Sequence, residues 1–197
     1  MTLFQLLMLG ASAYFAIKIY EHINTLKDEP QDTKESEPQR TQKAFSTFSV
    51  DTLMQRADEA YENEAYEKAV SLLEEINAKK SDDDEVLFKL GFIYQKLGKR
   101  DEALRYYKEA LELDRENEYI YNAMASLYRE HGEYTSAQIQ LKASLERNPN
   151  NPQTYYNYGN LLVDMKNIEE AKEMYKKAIE LDCEFKEAKE ELQKLED

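Results

Sequence analysis

The sequence is poor in the residues that break helices, crosslink chains or hold metal ions. Its 197 residues include 5 glycines, 4 prolines, 2 histidines, 1 cysteine and no tryptophan. Because glycine and proline are scarce, long stretches are free to form helices, and we expect an all-α protein. Cys183 has no partner for an internal disulfide, and His22 and His131 are too far apart in sequence to suggest a metal site. The sequence therefore predicts neither a metal nor a cofactor.

Positive charge is also scarce. The chain has 26 Lys and Arg against 40 Asp and Glu, a formal net charge of −14. Such a chain repels a phosphate backbone, and no basic stripe with interleaved aromatics offsets that repulsion, so nucleic acid is not an expected partner. The sequence also has no nucleophile elbow, no phosphate-binding glycine loop and no helical pair of metal-binding histidines. We therefore expect a protein that is not an enzyme.

An apolar run occupies residues 2–20, TLFQLLMLGASAYFAIKIY, in which Lys18 is the only ionisable side chain apart from two tyrosines. As a helix this run would rise about 28 Å, close to the thickness of a bilayer's hydrocarbon core. It predicts a transmembrane anchor within residues 1–27. Ala11-Ser12-Ala13 resembles a cleavage site, so a signal peptide is one alternative, and a buried soluble helix is another.

Residues 28–49 are mostly charged or polar and include Pro30 and Pro38. This composition predicts a flexible linker, which is most simply a spacer between a membrane and a folded domain. Basic residues follow the apolar run and none precedes it, which favours a cytoplasmic location for the rest of the chain. A periplasmic or exported domain is the alternative.

Small residues recur with a period of 34 in the rest of the chain, at Ala69, Ala103, Ala137 and Ala171. This period divides residues 50–185 into four units of equal length: 50–83, 84–117, 118–151 and 152–185. In the second unit the spacing of apolar side chains predicts one face of a helix, formed by Leu87, Leu90, Gly91 and Tyr94. Each unit therefore predicts a pair of helices.

Glycines and prolines fall at fixed places in this pattern. Gly91 and Ala103 allow the two helices of a unit to approach closely, and Gly98 makes the turn between them. In NPNNP, residues 148–152, Asn150 or Asn151 is expected to cap the next helix, with Pro152 in its first turn.

The four units resemble the tetratricopeptide repeat, a 34-residue helical hairpin with small residues at its eighth, twentieth and twenty-seventh positions. The resemblance implies a right-handed α-solenoid of four helical hairpins in residues 50–185, preceded here by the transmembrane helix and linker. Residues 186–197 are then a C-terminal capping helix, with Ala188, Leu192 and Leu195 on one face. The first unit fits least well, because Arg56, Ala60 and Ile76 stand at its core positions.

The family uses a concave groove lined by the first helix of each repeat. By resemblance the groove residues are Met54, Asp58, Tyr61, Phe88, Phe92, Lys96, Tyr119, Asn122, Arg129, Gln153, Tyr156 and Asn160. Phe88 and Phe92 lie one helical turn apart and would offer an anchor for an apolar side chain or an amphipathic helix. The alternative is that both pack against the next repeat.

Two further expectations concern polar side chains of the groove. Asn122 and Asn160 offer paired hydrogen-bond donors and acceptors for an extended peptide backbone, unless they are simply solvated amides. Family members that bind chaperone tails hold a terminal carboxylate with Lys, Asn and Arg. Met54, Asp58 and Tyr119 stand at the corresponding positions here and do not fit that role.

The anchor, the linker and the repeats together predict a membrane-tethered scaffold or adaptor that binds a protein or peptide partner. A chaperone-like assembly or biogenesis factor, which holds client polypeptides at the membrane, is the alternative. A third possibility is a purely structural subunit of a permanent complex.

Overall fold

The structure, a computed structural model, describes residues 47–196, and within this range it contains α-helices and no strand. The helices, in chain order, are α1 Val50–Glu62, α2 Tyr66–Lys79, α3 Asp84–Lys96, α4 Arg100–Leu113, α5 Glu118–Glu130, α6 Tyr134–Arg147, α7 Pro152–Asp164, α8 Ile168–Leu181 and α9 Lys186–Glu196. The first helices α1, α3, α5 and α7 begin 34 residues apart, and so do the second helices α2, α4, α6 and α8. The all-helical solenoid expected from the sequence is confirmed for this part of the chain.

A polar N-cap residue precedes every first helix, at the same position in the period of 34. The side chains of Ser49, Asp83, Asn117 and Asn151 each accept a hydrogen bond from a backbone N–H in the first turn of the following helix. These caps satisfy N–H groups that have no partner within the helix. Asn151 is thus the cap at the last of these boundaries, and Pro152 occupies the first turn after it.

The turn between the two helices of a hairpin has the same backbone conformation in all four repeats. The fifteenth residue of each repeat has a positive φ: Glu64 56°, Gly98 69°, Gly132 73° and Lys166 63°. Glycine adopts this left-handed conformation without steric cost, whereas residues with a Cβ do not. The turn is therefore strained in the first and fourth repeats and relaxed in the second and third.

The core lies between the helices of each hairpin and between neighbouring hairpins. The four alanines at the period of 34, Ala69, Ala103, Ala137 and Ala171, are all fully buried. At the C-terminal end, Ala188 of α9 is fully buried, and Leu192 and Leu195 pack against the core cluster that contains Leu162 and Tyr175. Helix α9 thus covers the apolar face that the fourth repeat would otherwise expose.

In residues 47–196, no helix is long and apolar enough to cross a membrane. The apolar run at residues 2–20, the anchor 1–27 and nearly all of the linker 28–49 lie outside the described residues. The membrane prediction therefore stays a prediction.

Candidate functional site

The first helices form the inner side of the stack. Helix α3 contacts α5, and α5 contacts α7, more extensively than any successive second helices contact each other. Side-chain hydrogen bonds join these neighbours, from Gln95 to Glu130 at 2.8 Å and from Arg129 to Asp164 at 2.8 Å. A curved stack brings its elements closest together on its concave side, so the groove is on the side of the first helices.

An apolar pocket of about 210 Å³ opens between α1 and α3. Helices α1 and α3 contact each other less extensively than the later first helices do, which leaves room for this pocket. The residues that line it are Ala57, Asp58, Tyr61, Leu73, Phe88, Lys89, Phe92 and Ile93. Most of these side chains are apolar, and the two charged ones lie on opposite helices.

Phe88 and Phe92 are both partly buried, and each has two roles. The Phe92 ring lies 5.9 Å from the Tyr61 ring, and the Phe88 ring lies 5.9 Å from the Tyr107 ring, measured between centroids. Both phenylalanines also line the pocket. The two expectations from the sequence, an apolar anchor and packing between repeats, therefore both describe part of their environment.

Lys89 crosses from α3 to α1 at the rim of the pocket. Its Nζ lies 2.9 Å from a carboxylate oxygen of Asp58 and 3.2 Å from one of Glu85, and also 3.5 Å from the Met54 sulfur. Burial lowers the pKa of Lys89, but the hydrogen bonds to Asp58 and Glu85 outweigh it and raise the pKa above its ordinary value. Lys89 is therefore a charged ammonium that is held by carboxylates of both helices.

The exposed face of α1 beside the pocket is acidic. A second, more open cavity of about 550 Å³ is lined by Asp51, Met54, Gln55, Asp58, Glu59 and Glu62. Asp58 lines both cavities. Among the described residues no first helix precedes α1, so this face has no neighbour of the kind that covers the same face of α3, α5 and α7.

Asn122 was expected in the groove, and the structure places its side chain between the third and fourth repeats. The residue is only 6% exposed, and its Nδ2 donates to the hydroxyl oxygens of Ser144 at 2.9 Å and Thr154 at 2.8 Å. Its Oδ1 accepts a hydrogen bond from Asn157, and its Nδ2 also lies 3.1 Å from the Glu118 carbonyl oxygen. The amide is thus used between the third and fourth repeats and is not free for a peptide.

The other predicted groove residues differ in how accessible they are. Tyr119 is 59% exposed, and Lys96 is exposed with its Nζ 5.4 Å from the centroid of the Phe92 ring. Arg129 is paired with Asp164, as described above. Four of the predicted groove residues are therefore exposed: Asp58, Lys96, Tyr119 and Gln153.

Tyr156 and Asn160, in the last repeat, already have internal partners. The Tyr156 ring lies 5.9 Å from the Tyr175 ring and 5.1 Å from the Phe185 ring. Asn160 Oδ1 accepts a hydrogen bond from the Tyr175 hydroxyl at 2.8 Å, and burial raises the pKa of Tyr175. The fourth repeat uses these groove positions largely to hold its own second helix and the chain that follows it.

Sequence reasoning did not select four residues that also line the pocket, Ala57, Leu73, Lys89 and Ile93. Leu73 comes from a second helix, and Lys89 stands at the sixth position, which is outside the usual groove set. The i and i+4 spacing of Glu85 and Lys89 was the one available signal that Lys89 is fixed in place. Within the described residues, no group of three or more His, Cys, Asp or Glu side chains is arranged to hold a metal ion.

The tetratricopeptide repeat family models match three segments of the chain, residues 84–117, 119–151 and 152–182. These are the hairpins α3–α4, α5–α6 and α7–α8. These matches confirm the repeats that the sequence predicts in these three units. The hairpin α1–α2 has its helices at the same places in the period and lies outside these matches.

One relative with a curated description is tetratricopeptide repeat protein 14 of Mus musculus, which is 33% identical over 114 residues. The match covers 54% of this chain but only 15% of the mouse protein. The similarity therefore concerns the repeats alone.

Among solved structures, the chain resembles YrrB, described as a TPR protein with an unusual peptide-binding site, with a TM-score of 0.61 and 22% identity over 74% of this chain and 75% of YrrB. It resembles the first TPR of Spaghetti (RPAP3) bound to the HSP90 peptide SRMEEVD, with a TM-score of 0.54 and 28% identity over 59% of this chain and 93% of that one. PilF of Pseudomonas aeruginosa gives a TM-score of 0.67 at 20% identity over 74% of this chain and 67% of PilF. The likenesses to YrrB and PilF concern the fold.

Proposed function

We propose that the protein is a non-enzymatic scaffold or adaptor that binds a peptide or helix of a partner protein in its concave groove. The observation that supports this most directly is the apolar pocket at the rings of Tyr61, Phe88 and Phe92, which lies between the first helices α1 and α3. A pocket lined by aromatic side chains is the kind of site in which an interface places an anchor residue.

Two structural neighbours are described as peptide-binding proteins, which supports the same proposal. The HSP90 peptide of the RPAP3 neighbour ends in acidic residues. In our chain, the first helix α1 presents Asp51, Asp58, Glu59 and Glu62 at the first-repeat end of the stack, and these side chains would repel an acidic peptide there. We therefore propose a partner different from the acidic chaperone tails.

We further propose that residues 2–20 tether the repeats to a membrane, with the repeats in the cytoplasm. The support is the apolar run itself and the basic residues that follow it. Carbonate extraction of the full chain and of a variant lacking residues 2–20 tests the tether. We expect only the full chain to stay in the membrane pellet, and extraction of both would contradict it.

Photo-crosslinking in the native cell tests the groove. We would replace Tyr119, which is 59% exposed on α5, with p-benzoylphenylalanine, and in a matched control replace Ile139, which is 58% exposed on the second helix α6. We expect discrete crosslinked partners from position 119, reduced by Phe92→Ser, and not from position 139. The same products from both positions would contradict groove binding, and a broad set from position 119 alone would favour the chaperone-like alternative.

A further inference from the structure

The first-repeat end of the groove joins two surfaces of different chemistry. The apolar pocket lies between α1 and α3, and the acidic face of α1 lies directly beside it, with Asp58 lining both. We infer that this end of the groove takes a basic amphipathic helix, with one large apolar side chain in the pocket and Lys or Arg side chains over Asp51, Glu59 and Glu62. This inference rests on the proposed function and specifies the chemistry of the partner.

The size of the pocket limits what enters it. Its volume is about 210 Å³, smaller than the roughly 300–1,000 Å³ of pockets that enclose a whole small-molecule ligand. It therefore suits a single leucine-, methionine- or phenylalanine-sized side chain from a larger ligand. Such a side chain would contact the rings of Phe88 and Phe92 and the side chain of Leu73.

The charges around the pocket are unevenly distributed. On α3, Lys89 is bonded to Asp58 and Glu85, and Lys96 lies beside the Phe92 ring. On α1 the one cation, Arg56, lies over the Phe48 ring at 3.7 Å, against four carboxylates at Asp51, Asp58, Glu59 and Glu62. On α1, the Glu59 carboxylate accepts a hydrogen bond at 2.9 Å from the neutral side-chain amide of Gln55. The α1 side of the pocket is thus negative, so the positive side chains of a ligand are expected over α1.

Comparison with the later repeats explains why the acidic face of α1 is open. Asn157 and Asp164 on α7 use this face to contact Asn122 and Arg129 of the preceding first helix. Gln55 and Glu62 occupy the equivalent positions on α1, where no such helix precedes them in the described part of the chain. The acidic side chains of α1 at this end of the stack are therefore open to the positive side chains of a helix whose anchor lies in the neighbouring pocket.

Fluorescence anisotropy with designed peptides tests the inference. The full chain is placed in nanodiscs of phosphatidylcholine, which carry no net charge, and empty nanodiscs serve as the blank. Three labelled helical peptides of equal length are compared: one with a leucine anchor and lysines at i+3, i+4 and i+7, one with those lysines replaced by glutamates, and one with the leucine replaced by alanine. The charge variant is Asp51→Asn/Glu59→Gln/Glu62→Gln. Its matched control is Glu102→Gln/Glu112→Gln/Glu170→Gln, which makes the same change of charge at exposed sites on second helices.

We expect the basic peptide to bind about tenfold more tightly than the acidic one, because complementary charges favour the right partner and like charges repel the wrong one. The charge variant should remove this preference, the control variant should keep it, and raising the salt to about 1 M should weaken it because charges are then screened within about 3 Å. The inference would be overturned if the acidic peptide bound as tightly as the basic one or more tightly, or if the control variant weakened the preference as much as the charge variant. The proposal of groove binding would stand in either case. If the peptide with alanine in place of leucine bound with the same affinity, the pocket would not hold an anchor residue, which would contradict the proposed function.

Two other results, each showing that something else already covers the acidic face of α1, would also overturn the inference. If the basic peptide binds only after Arg40→Gln/Lys43→Gln, the face is already covered by the basic segment around residues 40–43 of the same chain. If its binding weakens as the protein concentration rises, the face is covered by a second copy.

Discussion

The ring of Tyr107 packs directly over the Cα of Gly91. A methyl group at Gly91 would lie only 2.6 Å from Cδ1 of Tyr107, well inside van der Waals contact. The tyrosine is fully buried, its hydroxyl donates to Gln95 Oε1 at 2.9 Å, and burial raises its pKa. Gly159 and Tyr175 show the same relationship in the fourth repeat.

In the first and third repeats, a different pair of residues occupies the same two positions. The eighth and twenty-fourth residues are Ala57 and Leu73 in the first repeat and Ala125 and Leu141 in the third, all buried. Glycine is thus paired with tyrosine, and alanine with leucine. The two residues of each pair share one space between the helices of a hairpin.

Because the two residues share one space, Gly91→Ala should change the free energy of unfolding in opposite directions in the wild type and in the Tyr107→Leu variant. Gly91→Ala should lower the free energy of unfolding by about 1–3 kcal/mol, because the methyl group overpacks the site. In the Tyr107→Leu background the same change should raise it by about 0.5–1 kcal/mol, because alanine is the better helix former and the ring is gone. Urea unfolding followed by circular dichroism at 222 nm measures both values. A loss of stability in both backgrounds would contradict the pairing.

The left-handed turn at the fifteenth residue predicts a stabilising glycine. Lys166 has φ of 63°, a conformation that costs a residue with a Cβ about 1–2 kcal/mol. Lys166→Gly should therefore raise the free energy of unfolding by about 0.5–1 kcal/mol, after the entropic cost of glycine is subtracted. Urea unfolding measures the change.

A matched control places the same substitution in a helix. Lys142 is exposed in α6, and Lys142→Gly should lower stability by about 1 kcal/mol. Gly132→Ala, at the turn of the third repeat where an added methyl group would have no neighbour within 4 Å, should also destabilise because of the positive φ. Equal effects of Lys166→Gly and Lys142→Gly would show that the turn conformation does not decide the outcome.

The fold could be predicted from the sequence because the same pattern of small and apolar residues recurs in each unit. Small residues at Ala69, Ala103, Ala137 and Ala171 recur at the period of one hairpin, so every unit supports the assignment of the others. Pro152 could be placed in a first turn, and the cap could be narrowed to Asn150 or Asn151, because caps and first turns depend on residues a few positions apart. The strained turn at Lys166 was not predicted, because lysine gives no local signal for a positive φ.

The site was harder to predict because it depends on contacts between repeats. Asn122 stands at the same position as Phe88, and the family pattern gives both the same role. Ser144 and Thr154, which bury the Asn122 amide, lie 22 and 32 residues further along the chain. Only the packed structure shows that these three polar side chains meet, whereas the pocket at Phe88 follows from the looser contact between α1 and α3.

The cap of α3 predicts a dependence of stability on pH. The hydrogen bond from Lys80 at 2.8 Å lowers the pKa of Asp83, burial opposes the shift, and the backbone N–H of Val86 adds to the lowering, so the pKa lies below the ordinary 3.8. A depressed carboxylate pKa stabilises the fold above the unfolded-state value and loses that effect as the pH falls through the folded-state value. The stabilising effect should therefore be complete at pH 6 and be lost below about pH 4.

Two variants at this cap separate charge from capping. Asp83→Ala should lower the free energy of unfolding at pH 6 by about 1 kcal/mol, the usual cost of a lost cap. Asp83→Asn keeps an acceptor, so it should cost less, and its difference from wild type should shrink as the pH falls from 4 towards 2. Asp101→Asn, at a side chain that is 94% exposed, is the control. A difference for Asp83→Asn that grows in acid would contradict the assigned direction.

The polar cluster around Asn122 predicts that a single substitution is worse than a concerted one. Asn122→Ala removes the amide that donates to the buried hydroxyl oxygens of Ser144 and Thr154, which keep their hydrogen bond to each other at 3.0 Å. The loss of the amide should lower the free energy of unfolding by about 1–3 kcal/mol.

At the equivalent places one repeat earlier the chain has the apolar residues Phe88, Ala110 and Ile120, of which Ala110 and Ile120 are fully buried. The triple variant Asn122→Leu/Ser144→Ala/Thr154→Val makes this interface apolar as well. It should recover most of the loss, because replacing the three buried partners together with apolar groups costs little, whereas removing Asn122 alone leaves two buried hydroxyls with fewer hydrogen bonds than they can form. Urea unfolding of the single and triple variants tests this, with Ser126→Ala, at a partly exposed site of α5, as the control that should change stability by less than about 0.5 kcal/mol. A triple variant that is less stable than Asn122→Ala would contradict the prediction.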